Sequence, residues 1–285
     1  MYRFRAALFA CALAVVAAAS AAEPSSPVFP PPTAQEARAL LDSLLVRSPY
    51  RLPPSALAGE IRYRIAMPAD WRWPHTGEQR SIALADARAG EVELAICADC
   101  GDEAPPSAAE RERFLRANAW VRSDDRRVRA FARTNARGRS VDARMRALTD
   151  AVRAHMTGGI DFTRYDDAVV ALDSRSGDCT EFAVLLAAVA RAAGIPARIA
   201  HGISYSGRMN GQPHLFAPHA WVQAWDGHRW TSYDAALGQF DAGHIALMIG
   251  DGDPAVARTF NQAVRALWIV DAAGIAPAKR MAKGE

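Results

Sequence analysis

Several features that would assign a chain to a specialised class of protein are missing from this sequence. After the first 22 residues no apolar stretch is long enough for a transmembrane helix, so stable insertion into a membrane is not expected. The sequence has no internal repeats. It also lacks an acidic cluster of the EF-hand type, so calcium dependence is not indicated.

An excess of charge of either sign is also missing. The chain carries a formal net charge of +3, and loss of Arg3 and Arg5 with an N-terminal leader would leave +1. Basic and acidic residues interleave instead of forming one basic face, so nucleic acid is not an expected partner. Half of the residues are hydrophobic, which is ordinary for a globular protein with one large domain or two small ones.

The N-terminus has the pattern of a secretory signal peptide. Arg3 and Arg5 precede an apolar run at residues 6–19, and small residues suited to cleavage follow. We therefore predict a signal peptide over residues 1–22 and a periplasmic or secreted location.

Cysteine is scarce, with four in the chain, and export would leave three. In an oxidising compartment Cys97 and Cys100 can pair in a local disulfide, which is the favoured interpretation. A metal site is a lesser alternative because the second ligand pair of a structural zinc site is missing. A redox site is weaker still, since no βαβ pattern surrounds the two cysteines. Cys179 is then left as an odd thiol.

The remaining chain is predicted to have three parts. Residues 23–49 hold a Pro-rich linker and a short helix, expected over about 34–46. Residues 50–105 alternate apolar and polar residues between turn residues, which predicts a small β-rich N-terminal region. Its sheet is either a separate subdomain or an extension of the main one. Residues 106–285 form the main domain, with helices followed by a mostly antiparallel sheet, so the predicted fold class is α+β.

The helices of the main domain have polar residues at their expected starts. Ser107, Ser123 and Ser140 are candidate N-caps. One helix is expected over about residues 179–193, with Gly194 just beyond its end. It is apolar on almost every side, so we predict that it is the buried central helix.

Cys179 stands at the start of this central helix, in the stretch RSGDCTEF. Asp178 and Glu181 have the spacing of a capping box, so they are interpreted as capping residues and not as catalytic ones. The partial positive charge of a helix start is expected to lower the pKa of the thiol. The N–H of Cys179 could also donate to an oxyanion. The alternative is a buried, inert thiol, as free cysteines often are.

A base for this thiol is predicted from the segment HAWVQAWDGHRWTSYD. Asp226-Gly227 is typical of a two-residue hairpin turn, and that turn would set His219 opposite Asp234 with about 4.5–5.5 Å between their Cβ atoms. A histidine oriented by a carboxylate can activate Cys179. Three tryptophans fall on the same face and would cover the pair: Trp221, Trp225 and Trp230.

Other polar residues have weaker claims to the site. His244 and Asp241 could line the cleft. Tyr165 or Gln223 could supply a second oxyanion donor, and the sequence does not choose between them. The remaining histidines are interpreted as surface or hydrogen-bonded polar residues: His155, His201, His214 and His228.

From about residue 115 to 250 the chain resembles the bacterial transglutaminase-like superfamily. The resemblance rests on the glycine two residues before Cys179, on GIPAR after its helix, on HAW at His219, and on an aspartate 15 residues later. It implies that Cys179 is the nucleophile, His219 the base and Asp234 the orienting acid. One departure is Ala235, where many relatives have proline. This weakens a backbone constraint but removes no catalytic group.

The resemblance also implies a fold and an activity. It implies a papain-like transglutaminase core over residues 106–285, with the Cys179 helix packed on an antiparallel sheet. It implies an enzyme that acts on amide bonds of peptides or proteins through a thioester. The sequence itself indicates no cofactor and no metal. Hydrolysis and cross-linking are not separated, with a lean to hydrolysis because water is always available. The alternative is a non-catalytic module that binds a peptide or cell-wall partner, although such a module has no need of a complete triad.

Overall fold

A computed structural model describes residues 33–159 and 165–273. The predicted signal peptide and the Pro-rich stretch that follows it lie outside the described residues. The α-helices of the described ranges are α1 Ala34–Leu44, α2 Pro54–Leu57, α3 Ala108–Arg113, α4 Arg126–Asn135, α5 Val141–His155, α6 Ala168–Ser174, α7 Cys179–Ala192 and α8 Pro254–Ala263. The strands are β1 Val46–Arg47, β2 Ile61–Ala66, β3 Gln79–Ile82, β4 Glu91–Ile96, β5 Thr157–Gly158, β6 Ser176–Gly177, β7 Ala197–Met209, β8 Gln212–Trp225, β9 Trp230–Tyr233, β10 His244–Gly250 and β11 Trp268–Ala273.

The larger sheet is built around the long hairpin of β7 and β8. Asn210 and Gly211 connect these strands with positive φ angles of 50° and 79°, as a type I′ turn requires. Strand β10 pairs with β7, whereas β1 and β9 both pair with β8. All of these pairings are antiparallel, and the predicted α+β class with an antiparallel sheet is confirmed.

A second antiparallel sheet has the order β11-β2-β4-β3. Alternate residues of β2 are buried, with Ile61, Tyr63 and Ile65 facing the core. Because β11 pairs with β2, the β-rich region shares its sheet with a strand from near the end of the described chain. The side chain of Gln79 links the two sheets, since it donates to the carbonyl of Ala246 and accepts from its N–H, both at 2.9 Å.

Helix α7 is the buried central helix that the sequence predicts. Its residues from Glu181 to Arg191 are all buried, and it contacts α4, α5 and α6 as well as β7 and β8. Gly194 lies just past its end with φ of +77°, the left-handed conformation that favours glycine after a helix. The sheet and the three helices therefore hold the start of α7 at a fixed position.

The predicted N-caps are confirmed at Ser107 and Ser140. The prediction is wrong for Ser123, because Asp125 caps α4 instead and its carboxylate accepts a backbone hydrogen bond in the first turn. Within the two described ranges no helix is long and apolar enough to cross a bilayer.

The predicted two-residue turn between β8 and β9 is wrong. Trp225 pairs with Trp230, so the loop contains four residues. The carboxylate of Asp226 accounts for the longer loop, because its Oδ1 accepts from the N–H groups of His228 and Arg229 at 2.7 and 2.8 Å. The register consequently moves by two residues, which leaves every side chain of the hairpin on its predicted face.

Candidate active site

Cys179 is the first residue of α7, and the residues around it fix the first turn. Asp178 accepts from the N–H of Thr180 at 2.8 Å, and Glu181 Oε2 accepts from the N–H of Asp178 at 2.9 Å, which confirms the predicted capping box. Gly177 is needed here, because a Cβ at this position would lie 2.4 Å from the Cβ of Glu181. The cap engages the N–H groups of the second and third helical residues, so the N–H of Cys179 lies outside it.

The surroundings of Cys179 oppose the predicted lowering of its pKa. The residue is only partly exposed. Burial raises the pKa of the Cys179 thiol well above its usual value, and the negative charge of Asp178 raises it further. A hydrogen bond from the N–H of Ala220 acts in the other direction. The prediction of a lowered pKa is therefore wrong, because burial and the nearby carboxylates keep the thiol neutral at neutral pH.

His219 and Asp234 form a close pair. His219 Nε2 lies 2.6 Å from Asp234 Oδ2, and both side chains are buried. In the observed register Asp234 follows the last paired residue of β9 and falls across from Trp221. His219 is thus its diagonal neighbour on the same face, within side-chain reach. Asp234 Oδ1 accepts from the N–H groups of Ala236 and Leu237 at 2.8 and 2.9 Å, which fixes the carboxylate.

A second histidine binds the same carboxylate. His244 Nε2 lies 3.1 Å from Asp234 Oδ2, and its Nδ1 lies 3.0 Å from Asp241 Oδ1. Burial would lower the pKa of His244, but its hydrogen bonds to the two carboxylates, which accept them, raise it to about 9. Burial would likewise raise the pKa of Asp234, but His219 and His244 hold it well below its usual value. His244 is therefore protonated and Asp234 ionised at neutral pH.

Gly202 on β7 leaves the space in which β10 and the ring of Trp221 lie against β7. It pairs with His219 of β8, and a Cβ here would lie 2.1 Å from the carbonyl oxygen of Ile245 and 2.9 Å from the ring of Trp221. The ring centroids of His219 and His244 are 5.6 Å apart. A larger residue at Gly202 would therefore force β10 away from β7.

Trp221 covers the histidine pair with apolar surface. Its ring centroid lies 6.0 Å from that of His219 and 5.3 Å from that of His244. Trp225 and Trp230 instead pack edge to face against each other, with centroids 5.8 Å apart. The prediction that tryptophans cover the pair is therefore confirmed for Trp221 and wrong for Trp225 and Trp230.

Two pockets meet at Cys179. One is open, has a free volume of about 370 Å³, and includes Gly158, Gly177 and Phe182 in its wall. The other has a free volume of only about 20 Å³ and includes both Cys179 and His219 in its wall. A large molecule could therefore reach the thiol from the first side, whereas the second side holds only small molecules.

The cysteine at a helix start, the histidine on β8 and the aspartate that follows β9 all lie within a segment that matches a family model. Residues 129–235 match the family model of the transglutaminase-like superfamily. The chain carries a transglutaminase-like domain. The matched segment includes Cys179, His219 and Asp234, and it ends one residue after the aspartate.

The chain is similar to one curated protein and to several solved structures. A protein-glutamine gamma-glutamyltransferase of Pseudomonas aeruginosa is 36% identical over 91 residues, which are 28% of this chain and 14% of that protein. A solved structure described as a candidate cysteine protease of Cytophaga hutchinsonii has a TM-score of 0.46 and 18% identity, covering 76% of this chain and 82% of that chain. The periplasmic domain of TgpA from Pseudomonas aeruginosa has a TM-score of 0.42 and 22% identity, covering 72% and 75%.

The structure distinguishes between the two residues of the transglutaminase-like domain that were predicted as the second oxyanion donor. Tyr165 borders the small pocket of Cys179, and its hydroxyl accepts from Asn261 Nδ2 at 3.2 Å. Gln223 is buried elsewhere, and its amide donates to Glu78 and Ser232 at 3.3 Å each. Tyr165 is thus the one of these two that the fold brings beside the thiol.

The remaining histidines fit the prediction in three of four cases. His155 Nε2 lies 2.8 Å from the carbonyl of Leu172, and His214 Nδ1 lies 2.8 Å from the hydroxyl of Tyr205. His228 is exposed. The prediction is wrong for His201, which is buried in the wall of the small pocket with its Nε2 unpartnered within the described ranges.

Two groups of side chains place three potential metal ligands within 4.8 Å of one another in the described ranges: His219, Asp234 and His244, and Glu60, Cys97 and Cys100. The ligand atoms of the first group already bind each other. In the second, Cys97 and Cys100 form the disulfide that was the favoured interpretation, with Cα atoms 5.6 Å apart. The two cysteines of the second group are therefore joined to each other, and the histidines of the first group are held by the carboxylate of Asp234.

Proposed function

We propose that this chain is an exported cysteine-dependent enzyme that acts on amide bonds of peptides or proteins through a thioester. Cys179 is the nucleophile, His219 the general base and Asp234 the residue that orients the histidine. The observation that carries the proposal is that the thiol and the histidine of the His219–Asp234 pair share one small pocket. These are the groups that thiol-dependent acyl transfer requires.

The first half of the reaction follows from the hydrogen bonds of the site. Asp234 engages Nε2 of His219, so Nδ1 is the ring nitrogen that receives the proton of Cys179. Because burial holds the pKa of the thiol high, the proton moves to His219 as the sulfur attacks the amide carbonyl. Asp234 then stabilises the imidazolium.

The tetrahedral intermediate needs hydrogen-bond donors and a proton for the leaving group. The N–H of Cys179 lies outside the capping box and is one donor for the oxyanion, while Tyr165 is the second candidate. The imidazolium of His219 then protonates the leaving amine, and the C–N bond breaks. The acyl group remains on the sulfur as a thioester.

The open pocket on the other side of Cys179 is suited to an extended acyl chain. Its wall contains Gly158, Gly159 and Gly177, and a Cβ on Gly158 or Gly159 would meet no atom within 4 Å. A peptide backbone can therefore approach this wall closely. The P. aeruginosa relative is named as a gamma-glutamyltransferase of protein glutamine, so a glutamine side-chain amide is the first substrate to test.

Export to the periplasm or beyond is part of the proposal. The N-terminal pattern of Arg3, Arg5 and an apolar run supports it. The disulfide of Cys97 and Cys100 also supports it, because such bonds persist in oxidising compartments.

The proposal is tested by trapping the thioester. The wild-type protein is incubated with a p-nitrophenyl ester of a glutamine-like acyl group, and release of nitrophenol is followed together with the intact mass. We expect a burst of one equivalent and an acyl adduct on Cys179. Cys179→Ala and His219→Ala should lose the burst, whereas His228→Ala, which changes an exposed histidine, should keep it. An adduct on another residue, or a burst in Cys179→Ala, refutes the proposal.

A further inference from the structure

His201 is a buried histidine that the proposed mechanism does not use. It lies on β7 opposite Ala220, one residue from the pairing of Gly202 with His219. Its exposure is 3%, and its Nε2 has no hydrogen-bond partner within the described ranges. Burial lowers the pKa of His201 to about 4, so the ring is neutral near neutral pH. A neutral ring nitrogen that is buried without a partner requires an explanation.

The pocket beside His201 also contains the reactive groups. Its wall includes Cys179, His219 and His201, with Tyr165 and Asn261 as further polar residues. The free volume of about 20 Å³ suits one or two water molecules, since a single water needs roughly 10–15 Å³. A buried water needs two to four polar partners. The histidines, Tyr165 and Asn261 in the wall are enough to supply them.

A larger nucleophile does not fit on this side of the thiol. The neighbouring cavity, which shares His201 and Tyr165 in its wall, adds a free volume of only about 10 Å³. Neither free volume is large enough to enclose the four-carbon side chain of lysine. The open pocket on the other side of Cys179 would be occupied by the acyl chain once the thioester has formed.

We propose that Nε2 of His201 holds the water that hydrolyses the thioester on Cys179. This inference rests on the proposed function, and it makes hydrolysis the fate of the acyl group. His201 is a positioning residue that acts through the water it binds. In the tautomer with its proton on Nδ1, Nε2 accepts one hydrogen of the water.

The hydrolytic step balances with the groups present. The water gives one proton to Nδ1 of His219 while its oxygen attacks the thioester carbonyl, forming a C–O bond. The intermediate collapses with cleavage of the C–S bond, and His219 returns the proton to the sulfur. The products are a carboxylic acid and the neutral thiol of Cys179.

The test separates acylation from deacylation with the same nitrophenyl ester. The burst measures acylation, and the steady rate after it measures hydrolysis of the acyl-enzyme. His201→Leu removes the ring nitrogen and keeps an apolar side chain. We expect its burst to remain. Its rate of deacylation should fall by about 10- to 100-fold, because a water held out of position by about 1 Å reacts more slowly by up to that factor. His201→Gln keeps a polar group and should recover much of the loss.

Two controls complete the design. His214→Leu changes a histidine that bonds Tyr205 away from the pocket and should leave both rates unchanged. Wild-type acyl-enzyme is also allowed to partition between water and a lysine peptide, with the products weighed by mass spectrometry. We expect mainly the free acid.

Each outcome decides one of the two proposals. Absence of a burst in the wild type refutes the proposed function itself. A normal burst with unchanged deacylation in His201→Leu, or equal loss in the leucine and glutamine variants, overturns the role of His201. Predominant transfer to the lysine peptide overturns it as well, and this result needs no variant to fold.

Discussion

His244 should make the stability of the protein depend on pH in a defined window. Its hydrogen bonds to Asp234 and Asp241 raise its pKa to about 9 from an ordinary 6.5. A group with a raised pKa stabilises the fold fully below its ordinary pKa and loses that contribution as the pH rises through the folded value. The contribution of His244 should therefore be complete below about pH 6.5 and disappear through about pH 9.

The size of this contribution follows from the difference between the two values. At about 1.4 kcal/mol for each pH unit, the rise from 6.5 to about 9 corresponds to about 3 kcal/mol of unfolding free energy. The full amount is used because His244 is 3% exposed, so solvent screening is small.

The assay is chemical denaturation of matched variants across pH. His244→Phe keeps an aromatic ring beside Trp221 and Phe240, whose centroids lie 5.3 and 5.1 Å from that of His244, but it cannot be protonated. All proteins carry Cys179→Ala, so that the thiol does not contribute. We expect the stability advantage over His244→Phe to shrink by about 3 kcal/mol between pH 6 and 10.

Other groups that titrate in this window are present in both proteins and cancel in the difference. His228→Phe, a change of an exposed histidine, provides the control and should show no such pH-dependent difference. If the difference in stability between the Cys179→Ala protein and its His244→Phe derivative is the same at both ends of the window, His244 is not a buried cation and the reasoning is refuted.

Three further predictions concern other parts of the molecule. Asp234→Asn should lower the rate of acylation by a thousandfold or more, at roughly the scale seen when an orienting aspartate is lost, with an unchanged far-ultraviolet spectrum. Burial raises the pKa of Glu78 from 4.5 to about 7, so the folded protein holds this proton more tightly than the unfolded chain. The wild type should therefore lose about 3 kcal/mol of stability as the pH rises from 4.5 to 7. In pH-dependent denaturation, Glu78→Gln should abolish that loss. Replacing Cys97 and Cys100 by serine should cost about 2 kcal/mol for so short a loop, and reductant should lower the stability of the wild type alone.

Local patterns in the sequence predict the start of the central helix well. The capping box of Asp178 and Glu181, the apolar run and Gly194 all describe interactions between residues close in the chain. Such interactions depend little on the rest of the fold. The position of Cys179 at the helix start follows directly from them.

For the hairpin of β8 and β9 the predicted loop length is wrong, but the predicted contact between His219 and Asp234 is present. The sequence favours Asp226-Gly227 as a two-residue turn, but the side chain of Asp226 caps a wider loop. The shift of register is even, so His219 and Asp234 stay on one face and still meet at 2.6 Å. A shift by one residue would have separated them.

The second histidine of the site could not be placed from the sequence. His244 reaches Asp234 because β10 pairs with β7, and this pairing is possible because Gly202 has no side chain to collide with β10. This pairing joins segments about forty residues apart, and no turn residue fixes its register. The burial of His201 is not predictable from the sequence for a related reason, since it depends on α8, which contributes Phe260 and Asn261 to the same pocket.

The charges around the site explain why a raised thiol pKa is compatible with the proposed chemistry. Asp234 is ionised and the cation of His244 lies beside it, so His219 faces a carboxylate whose charge is already partly balanced. The carboxylates of Asp178 and Asp234 disfavour a thiolate at Cys179, whereas Nε2 of His219 lies 2.6 Å from the Asp234 carboxylate, which can stabilise the imidazolium formed during the reaction. Transfer of that proton is therefore coupled to the attack itself, when the negative charge passes from the sulfur to the substrate oxygen. Between turnovers the thiol stays neutral, and a neutral thiol is oxidised far more slowly than a thiolate in an oxidising compartment.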